Sequence, residues 1–378
     1  MGFKSILRKF GVRRRGAGVR PEHPLPYKEK NPIYLKLVEI LKELKILVYI
    51  WIALLVILVG IDLIPWNKSG FLGNLLAEFH GLLLDVLVFG LLIVIYDRIV
   101  LERRRKIALY VDEIDVLRDL KGEDVTHKII AFVKKLDGLG FKGIDLMDCN
   151  LEKAIFNKLS LENAKFSGAV LNEATFSFAN IQGARFSDAK LKNVTLVAVQ
   201  GGNARFCETD LTNAIMEDCR ITDSYFGMVK LTGARLSGSD FQSSNFECAG
   251  FQRATIYQTD FQDAVLEGAD LTESTLDTVG FKNANLSGAD FRNATMKQTP
   301  FNWGTYFVYF TGADLEGVNF EGADLHGADL IGAKNLTIEQ LSKAKSLYQT
   351  KLDPELEQQI REKYPYLLEK PKDNSDGS

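Results

Sequence analysis

From Phe141 to Tyr306 an apolar residue returns at every fifth position, and polar residues fill most of the space between. The series runs Leu146, Leu151, Phe156, Leu161, Phe166, Leu171, Phe176, Ile181, Phe186 and onward to Phe301 and Tyr306. Of its 34 consecutive positions, only Gly201 is not apolar. Two residues before each such centre stands a small residue, usually alanine, as at Ala154, Ala164, Ala174 and Ala184. After Tyr306 the phase slips by one residue and five centres follow: Phe310, Leu315, Phe320, Leu325 and Leu330. A helix repeats every 3.6 residues and a strand every two, so neither gives a period of five. A short fixed period over this length predicts a solenoid.

A longer period lies within the first. Every fourth centre gives Phe166, Phe186, Phe206, Phe226 and Phe246, and the next column is Leu151, Leu171, Leu191, Leu211 and Leu231. Four pentapeptides then make one square turn in which like stacks on like. With neighbouring backbones about 4.8 Å apart, close to ten turns give a rod roughly 45 Å long. One bulky and one small side chain fill each wall, and glycines such as Gly168, Gly183 and Gly233 fall near the corners.

These residues resemble the pentapeptide-repeat family, whose motif is A(D/N)LxX. Ala269-Asp270-Leu271, Ala289-Asp290-Phe291, Ala313-Asp314-Leu315 and Ala323-Asp324-Leu325 match it closely. The resemblance covers about half the chain and implies a mainly β fold, a right-handed quadrilateral β-helix. It implies no single function, because folds host many.

Outside the repeats the pattern changes. Ile46–Pro65 is a nearly uncharged run of twenty residues, and a second apolar run spans about Phe79–Val100. Each is long enough to cross a bilayer. Residues 1–45 carry twelve Lys/Arg against four Asp/Glu, and Arg98, Arg103, Arg104, Arg105 and Lys106 follow the second run. Basic residues at both outer ends predict a two-helix transmembrane hairpin with both termini cytoplasmic, in a bacterial inner (plasma) membrane. Phe3, Ile6, Leu7 and Phe10 among basic residues read either as an amphipathic segment on anionic lipid or as a basic tail.

Helices are expected at both ends of the rod. Ile107, Tyr110, Ile114 and Leu117 form an apolar stripe suited to a coiled-coil seam or to packing on the next helix. A helix over about Glu123–Leu136 is expected to close the first coil, since open solenoid ends expose apolar groups. At the far end Thr337 and Gln340 have capping-box spacing, predicting a helix to about Ser346, and Asp353-Pro354 opens another. The expected organisation is therefore a basic segment at 1–45, the hairpin at 46–100, linker and capping helices at 101–140, the β-helix at 141–335, capping helices at 336–369 and a disordered tail at 370–378.

The residues offer no catalytic chemistry. The four cysteines lack CxxC spacing and the four histidines lie far apart, and no nucleophile, phosphate-loop or zinc motif occurs. No enzyme activity, cofactor or metal is expected. Asp85, inside the second apolar run, is a candidate intramembrane polar contact, either for helix packing or for an ion path in a small oligomeric channel. On the fourth wall of the rod, Ile155, Phe178, Val197, Ile215 and Tyr257 point outward and form a candidate partner-binding face. On the second wall Lys165, Arg185 and Arg205 form a basic ladder, expected to be neutralised by Asp148, Asp188 and Glu208 alongside.

Charge also changes along the rod. Residues 141–238 hold eleven basic and eleven acidic side chains, whereas residues 239–335 hold five basic against fourteen acidic. Some members of the resembled family mimic B-DNA and bind type II topoisomerases, which the acidic half would suit; the neutral first half and the tether argue against it. The expected function is a membrane-anchored scaffold or protein-interaction module. Its expected partners are the lipid bilayer, a protein and a further copy of itself, with nucleic acid not expected.

Overall fold

The computed structural model of the chain describes residues 71–297, 299–301, 304–306 and 308–370, together with positions 49, 52, 53 and 56. The expectations for the basic segment, for most of Ile46–Pro65 and for the tail beyond residue 370 lie outside them. The chain divides into two compact units, Met1–Val100 and Leu101–Ser378.

In the first unit, positions 49, 52, 53 and 56 are helical. Helix α1 (Phe71–Leu117) begins well before the second apolar run, so residues expected to form the loop ahead of Phe79 are helical instead. Among the described residues no helix is long and apolar enough to cross a membrane.

In the second unit, the end of α1 packs against α2 (Glu123–Gly138). Tyr110 stacks on Phe132 with ring centroids 5.8 Å apart, and Ile114 and Leu117 are buried in the core. The stripe on α1 therefore covers the next helix, one of its two expected uses. Helix α2 buries Thr126, Ile129, Ile130, Val133 and Leu136, and the Thr126 hydroxyl donates to the Asn150 carbonyl of the first coil. That contact plugs the end of the rod.

The repeats wind as the period of five requires. Parallel bridges join residues twenty apart, as in Lys165 to Arg185, Arg185 to Arg205 and Arg205 to Tyr225. Phe166, Phe186, Phe206, Phe226 and Phe246 lie one above another, with successive ring centroids 4.7, 4.7, 4.7 and 4.5 Å apart. Gly201 fits the same logic, because a Cβ there would meet Ile181 Cγ1 at 2.8 Å. Hydroxyls in the small slots are satisfied internally: Ser224 donates to the Gly201 carbonyl and Ser244 to the Ile221 carbonyl.

One wall differs from the other three. It forms a seven-stranded parallel sheet, β1 (Thr175–Ser177), β2 (Thr195–Val197), β3 (Ile215–Glu217), β4 (Arg235–Ser237), β5 (Thr255–Tyr257), β6 (Thr275–Asp277) and β7 (Thr295–Lys297). Six of the seven strands open on Thr or Ile, whose branched side chains favour extended backbone. The other walls are tight turns. Asp148, Asn163 and Asn213 take a left-handed corner at φ 57°, and Gly168, Gly183 and Gly233 occupy equivalent corners.

Two expectations about the rod are corrected. Phe301 and Tyr306 do not continue the winding of the coils. Strands β8 (Thr299–Phe301) and β9 (Gly304–Tyr306) pair antiparallel as a hairpin, and the following coil bridges across 29 residues, from Gly280 to Tyr309 and from Asn285 to Asp314. The apparent phase slip is a nine-residue insertion. At the far end helix α3 is one turn (Ile338–Leu341) and does not reach Ser346. Ser346 and Lys351 bridge back to Asp324 and Asp329, and Leu347 and Leu352 are buried, so winding continues past the expected boundary at 335. Repeating the inward pattern satisfies another set of strand-edge groups, which a longer helix would leave open.

The capping box itself is present. Thr337 accepts from the Gln340 amide, and the Gln340 side chain accepts from the Thr337 N–H while donating to the carbonyls of Leu315 and Val318. Helix α4 (Pro354–Lys363) begins with proline as expected, but the Asp353 carboxylate accepts from the Gly332 N–H instead of capping its own helix.

Candidate interaction surfaces

The rod presents flat walls whose side chains are set by the register. All five candidate partner-binding residues stand on or beside the β1–β7 sheet, but in three different columns. Ile155 and Ile215 share one column, with Thr175 and Thr195 between them. Val197 and Tyr257 share the next, separated by Glu217 and Ser237. Phe178 sits at a left-handed corner (φ 55°) beside that column. Ile155 and Phe178 are exposed, at 52% and 63%, and the other three are half-buried. Val197 and Ile215 are brought to neighbouring strands, whereas Arg235 and Glu217 stand between Ile215 and Tyr257. Tyr257 lines a cavity of 240 Å³ together with Arg235, Thr255, Thr275 and Asp277.

The second wall carries the basic ladder, and its neutralisation differs from the expectation. Lys165 pairs with Asp145, one coil below in the same column, at 3.4 Å. Among the described residues no ion pair joins the ladder to Asp148, Asp188 or Glu208. Stacked positions lie about 4.8 Å apart, closer than the corner position across the same pentapeptide. The next rung after Arg205 is Tyr225, whose ring centroid lies 5.4 Å from the guanidinium. Tyr225 and, three residues on, Met228 are 49% and 57% exposed. Sequence reasoning passed over both; the signal was present in Gly227 between them, which leaves no side chain to cover either.

At the base of the rod Arg118 clasps the first coil. It donates to Asp115 at 2.6 Å, to the carboxylate and carbonyl of Asp145, and to the Met147 carbonyl. Burial raises the Asp145 pKa, but the Met147 N–H, Arg118 and Lys165 outweigh it and hold the carboxyl below its ordinary value. Burial pushes the nearby Cys149 thiol up to about 11.

In the first unit Asp85 is exposed on α1, in line with the exposed apolar side chains Leu82, Val88, Phe89, Leu92, Ile93 and Tyr96. Among the described residues no group of His, Cys, Asp and Glu could hold a metal ion. The four cysteines are free thiols.

A rod of this kind, four-sided and wound from five-residue segments, defines a class of non-catalytic solenoid. The Pentapeptide repeats family matches in eight copies, over residues 144–177, 160–196, 226–263, 259–298 and 306–334, so the rod of this chain is built of pentapeptide repeats. No curated protein is significantly similar to it in sequence. Similar solved structures include HetL, a pentapeptide repeat protein involved in heterocyst differentiation regulation from the cyanobacterium Nostoc sp. strain PCC 7120. It is 25% identical, with 59% of this chain and 94% of HetL covered and a TM-score of 0.47. QnrB1, a plasmid-mediated fluoroquinolone resistance protein, is 16% identical, with 56% and 94% covered and a TM-score of 0.36. A pentapeptide repeat protein of the Arabidopsis thaliana thylakoid lumen is 23% identical, with 28% and 63% covered and a TM-score of 0.20.

Proposed function

We propose that the chain is a membrane-anchored scaffold that presents its repeat rod to protein partners at the cytoplasmic face of a bacterial plasma membrane. The observation that carries this proposal is α1, whose described apolar side chains between Leu82 and Ile99 stand exposed. Exposed apolar groups in such numbers need lipid or protein around them. The 22 residues of Phe79–Val100 rise about 33 Å as helix, enough for a hydrocarbon core of about 30 Å. Together with Ile46–Pro65 they would form the hairpin, with Asp85 as a polar contact inside it. The rod is taken as right-handed, as the resemblance implies, and about ten coils long, as four apolar centres to a turn give, with Ile155, Phe178, Val197, Ile215 and Tyr257 as its docking wall. The test is alkaline carbonate extraction of bacterial membranes containing the full-length chain. Retention in the pellet is expected, and release of the chain into the supernatant would sink the anchor. Introducing charge with Phe178→Glu and Tyr257→Glu should then abolish capture of partners without unfolding the rod.

A second reading, a topoisomerase-binding DNA mimic, is favoured by the acid-rich half of the rod. There Asp240 stacks on Asp260 and Asp270 on Asp290. The columns are short, since Gly280 and Tyr309 follow Asp260 where a continuous phosphate mimic would need further charge. Purified full-length chain that inhibits gyrase supercoiling in a salt-sensitive manner would favour this reading. Absence of any effect at micromolar protein would end it.

A further inference from the structure

Helix α1 carries a run of basic residues directly after its apolar stretch, and only some of them have partners. The helical register sorts them. Ile107, Tyr110, Ile114 and Leu117 form the stripe that meets α2, and Arg103, four residues before Ile107, lies on the same stripe. Its guanidinium donates to the Leu139 carbonyl at the end of α2, from Nε at 2.9 Å and from Nη2 at 2.6 Å. Arg105 pairs with Glu102 at 3.3 Å. Arg98, Arg104 and Lys106 are exposed, and among the described residues no carboxylate pairs with any of the three. At 100° per residue, Arg104 stands about 120° round the helix from Arg98 and about 160° from Lys106.

We propose that Arg98, Arg104 and Lys106 form a collar on α1 that binds the phosphate groups of anionic phospholipids, an inference that rests on the membrane anchor proposed above. Depth and direction both select a leaflet over a soluble anion. Arg104 and Lys106 follow Val100, the end of the apolar stretch, by about 6 and 9 Å along the helix, and a headgroup layer extends about 5–7 Å beyond the hydrocarbon. Arg98, just inside that boundary, has a side chain long enough to reach the same layer. The three charges also diverge around α1, so one phosphate cannot meet Arg104 together with the other two. Lipids surrounding a helix can meet each charge from its own side. Guanidinium and ammonium groups donate charge-assisted hydrogen bonds to phosphate oxygens, and each basic residue close to an anionic leaflet strengthens binding by about fivefold. A choline headgroup carries the same phosphate but cancels its charge, so phosphatidylglycerol is favoured over phosphatidylcholine.

The test is the affinity of the full-length chain, in detergent micelles, for added phosphatidylglycerol and phosphatidylcholine, read lipid by lipid by native mass spectrometry. Phosphatidylglycerol should bind more tightly. Arg98→Gln, Arg104→Gln and Lys106→Gln together should weaken it by at least about fivefold and leave phosphatidylcholine unchanged. Arg98→Lys with Arg104→Lys should keep the preference, because a leaflet reads charge. Arg185→Gln, Arg205→Gln and Lys230→Gln together remove the same charge from exposed positions on the rod and should also keep it. An excess of free glycerol phosphate should not displace the lipid. The collar is overturned by a wild type without the preference, by a collar variant that binds as wild type does, by equal loss in the rod variant, or by displacement with glycerol phosphate. Carbonate extraction separates this result from the anchor itself. Retention of wild type in the pellet without a lipid preference would remove the collar alone, whereas release would remove the anchor and the collar with it.

Discussion

Phe206 lies flat on Phe226, the two ring centroids 4.7 Å apart and the planes within 3° of parallel. Phe186 covers the other side of Phe206 in the same way. Each ring is fully enclosed, so its loss removes apolar contact above and below and leaves a cavity that a close-packed solenoid cannot collapse. Phe206→Ala should therefore lower stability by about 3–5 kcal/mol, read from the midpoint of urea unfolding. Phe178→Ser, at an exposed corner, should change the midpoint by less than about 0.5 kcal/mol. Equal effects of the two substitutions would contradict the stack.

The stack is legible in the sequence because it is a strict period, and a strict period shows without knowledge of distant contacts. Phe166 to Phe246 could be placed from spacing alone. Phe301 and Tyr306 could not, because a nine-residue insertion carrying apolar residues at multiples of five imitates the repeat. Leu347 and Leu352 were missed for the opposite reason: they return to the interior after a helical turn that breaks the count. The partner of Lys165 was misassigned because charge neutralisation depends on which residue lies one coil away, Asp145, and not on which is nearest in sequence. The flat sheet wall leaves a trace in Thr175, Thr195, Thr255, Thr275 and Thr295, whose alignment in one column follows only from the register.

The closing turn at the far end should be sensitive to Gln340. Its side chain accepts from Thr337 N–H and donates to Leu315 and Val318 carbonyls at 2.7 and 3.1 Å, so it caps the helix and seals the last coils together. Thr337→Ala removes one cap acceptor and should cost about 1 kcal/mol. Gln340→Ala removes three bonds and should cost more. Hydrogen exchange at Leu341 and Ser342 is the measurement, and the order of the two variants is the result at stake.

The Arg118 clasp predicts how the base of the rod responds to acid. Asp145 has its folded-state pKa held below the unfolded value, despite the opposing effect of burial, by the Met147 N–H, Arg118 and Lys165. Such a group stabilises the folded state at pH values above its unfolded pKa. The contribution is lost as pH falls through the folded value. Protection of amides in the first coil should therefore decline below about pH 4 in the wild type. In Asp145→Asn that decline should be smaller, from a lower starting stability. An unchanged acid profile in this variant would remove Asp145 from the account.

Thiol chemistry separates the inside of the rod from its surface. Burial pushes Cys219 up to about 11 and encloses it, while Cys248 stands exposed at a corner. The thiolate is the reactive form, so a disulfide reagent at pH 8 should label Cys248 promptly and leave Cys149 and Cys219 untouched until the chain unfolds. Mass spectrometry of the labelled peptides decides it. Prompt labelling of Cys219 in the native protein would mean that the wall at Leu196 and Met216 opens far more readily than the packing allows.

The hairpin formed by β8 and β9 should be dispensable for the rod. Bridges pair residues twenty apart up to Thr275 and Thr295, 29 apart for one coil from Gly280–Tyr309 to Thr295–Asp324, and twenty apart again from Tyr309 to Asp329, so nine residues are surplus to the winding. Deleting residues 299–307 joins Gln298 to Val308 and puts Phe310 five positions after Met296, the same interval as every earlier centre. Gln298 then falls at a corner position like that of Gln258, which takes φ 47°. The deletion also shortens the closed loop, whose entropy changes slowly with length, so stability should stay within about 1 kcal/mol of wild type. Deleting eight residues instead would displace every later apolar centre by one position, turning Phe310, Leu315 and Phe320 away from the interior. That variant should lose its last coils to rapid hydrogen exchange while the nine-residue deletion keeps them. Equal protection in the two would mean that the coils beyond Met296 are not held by the same register.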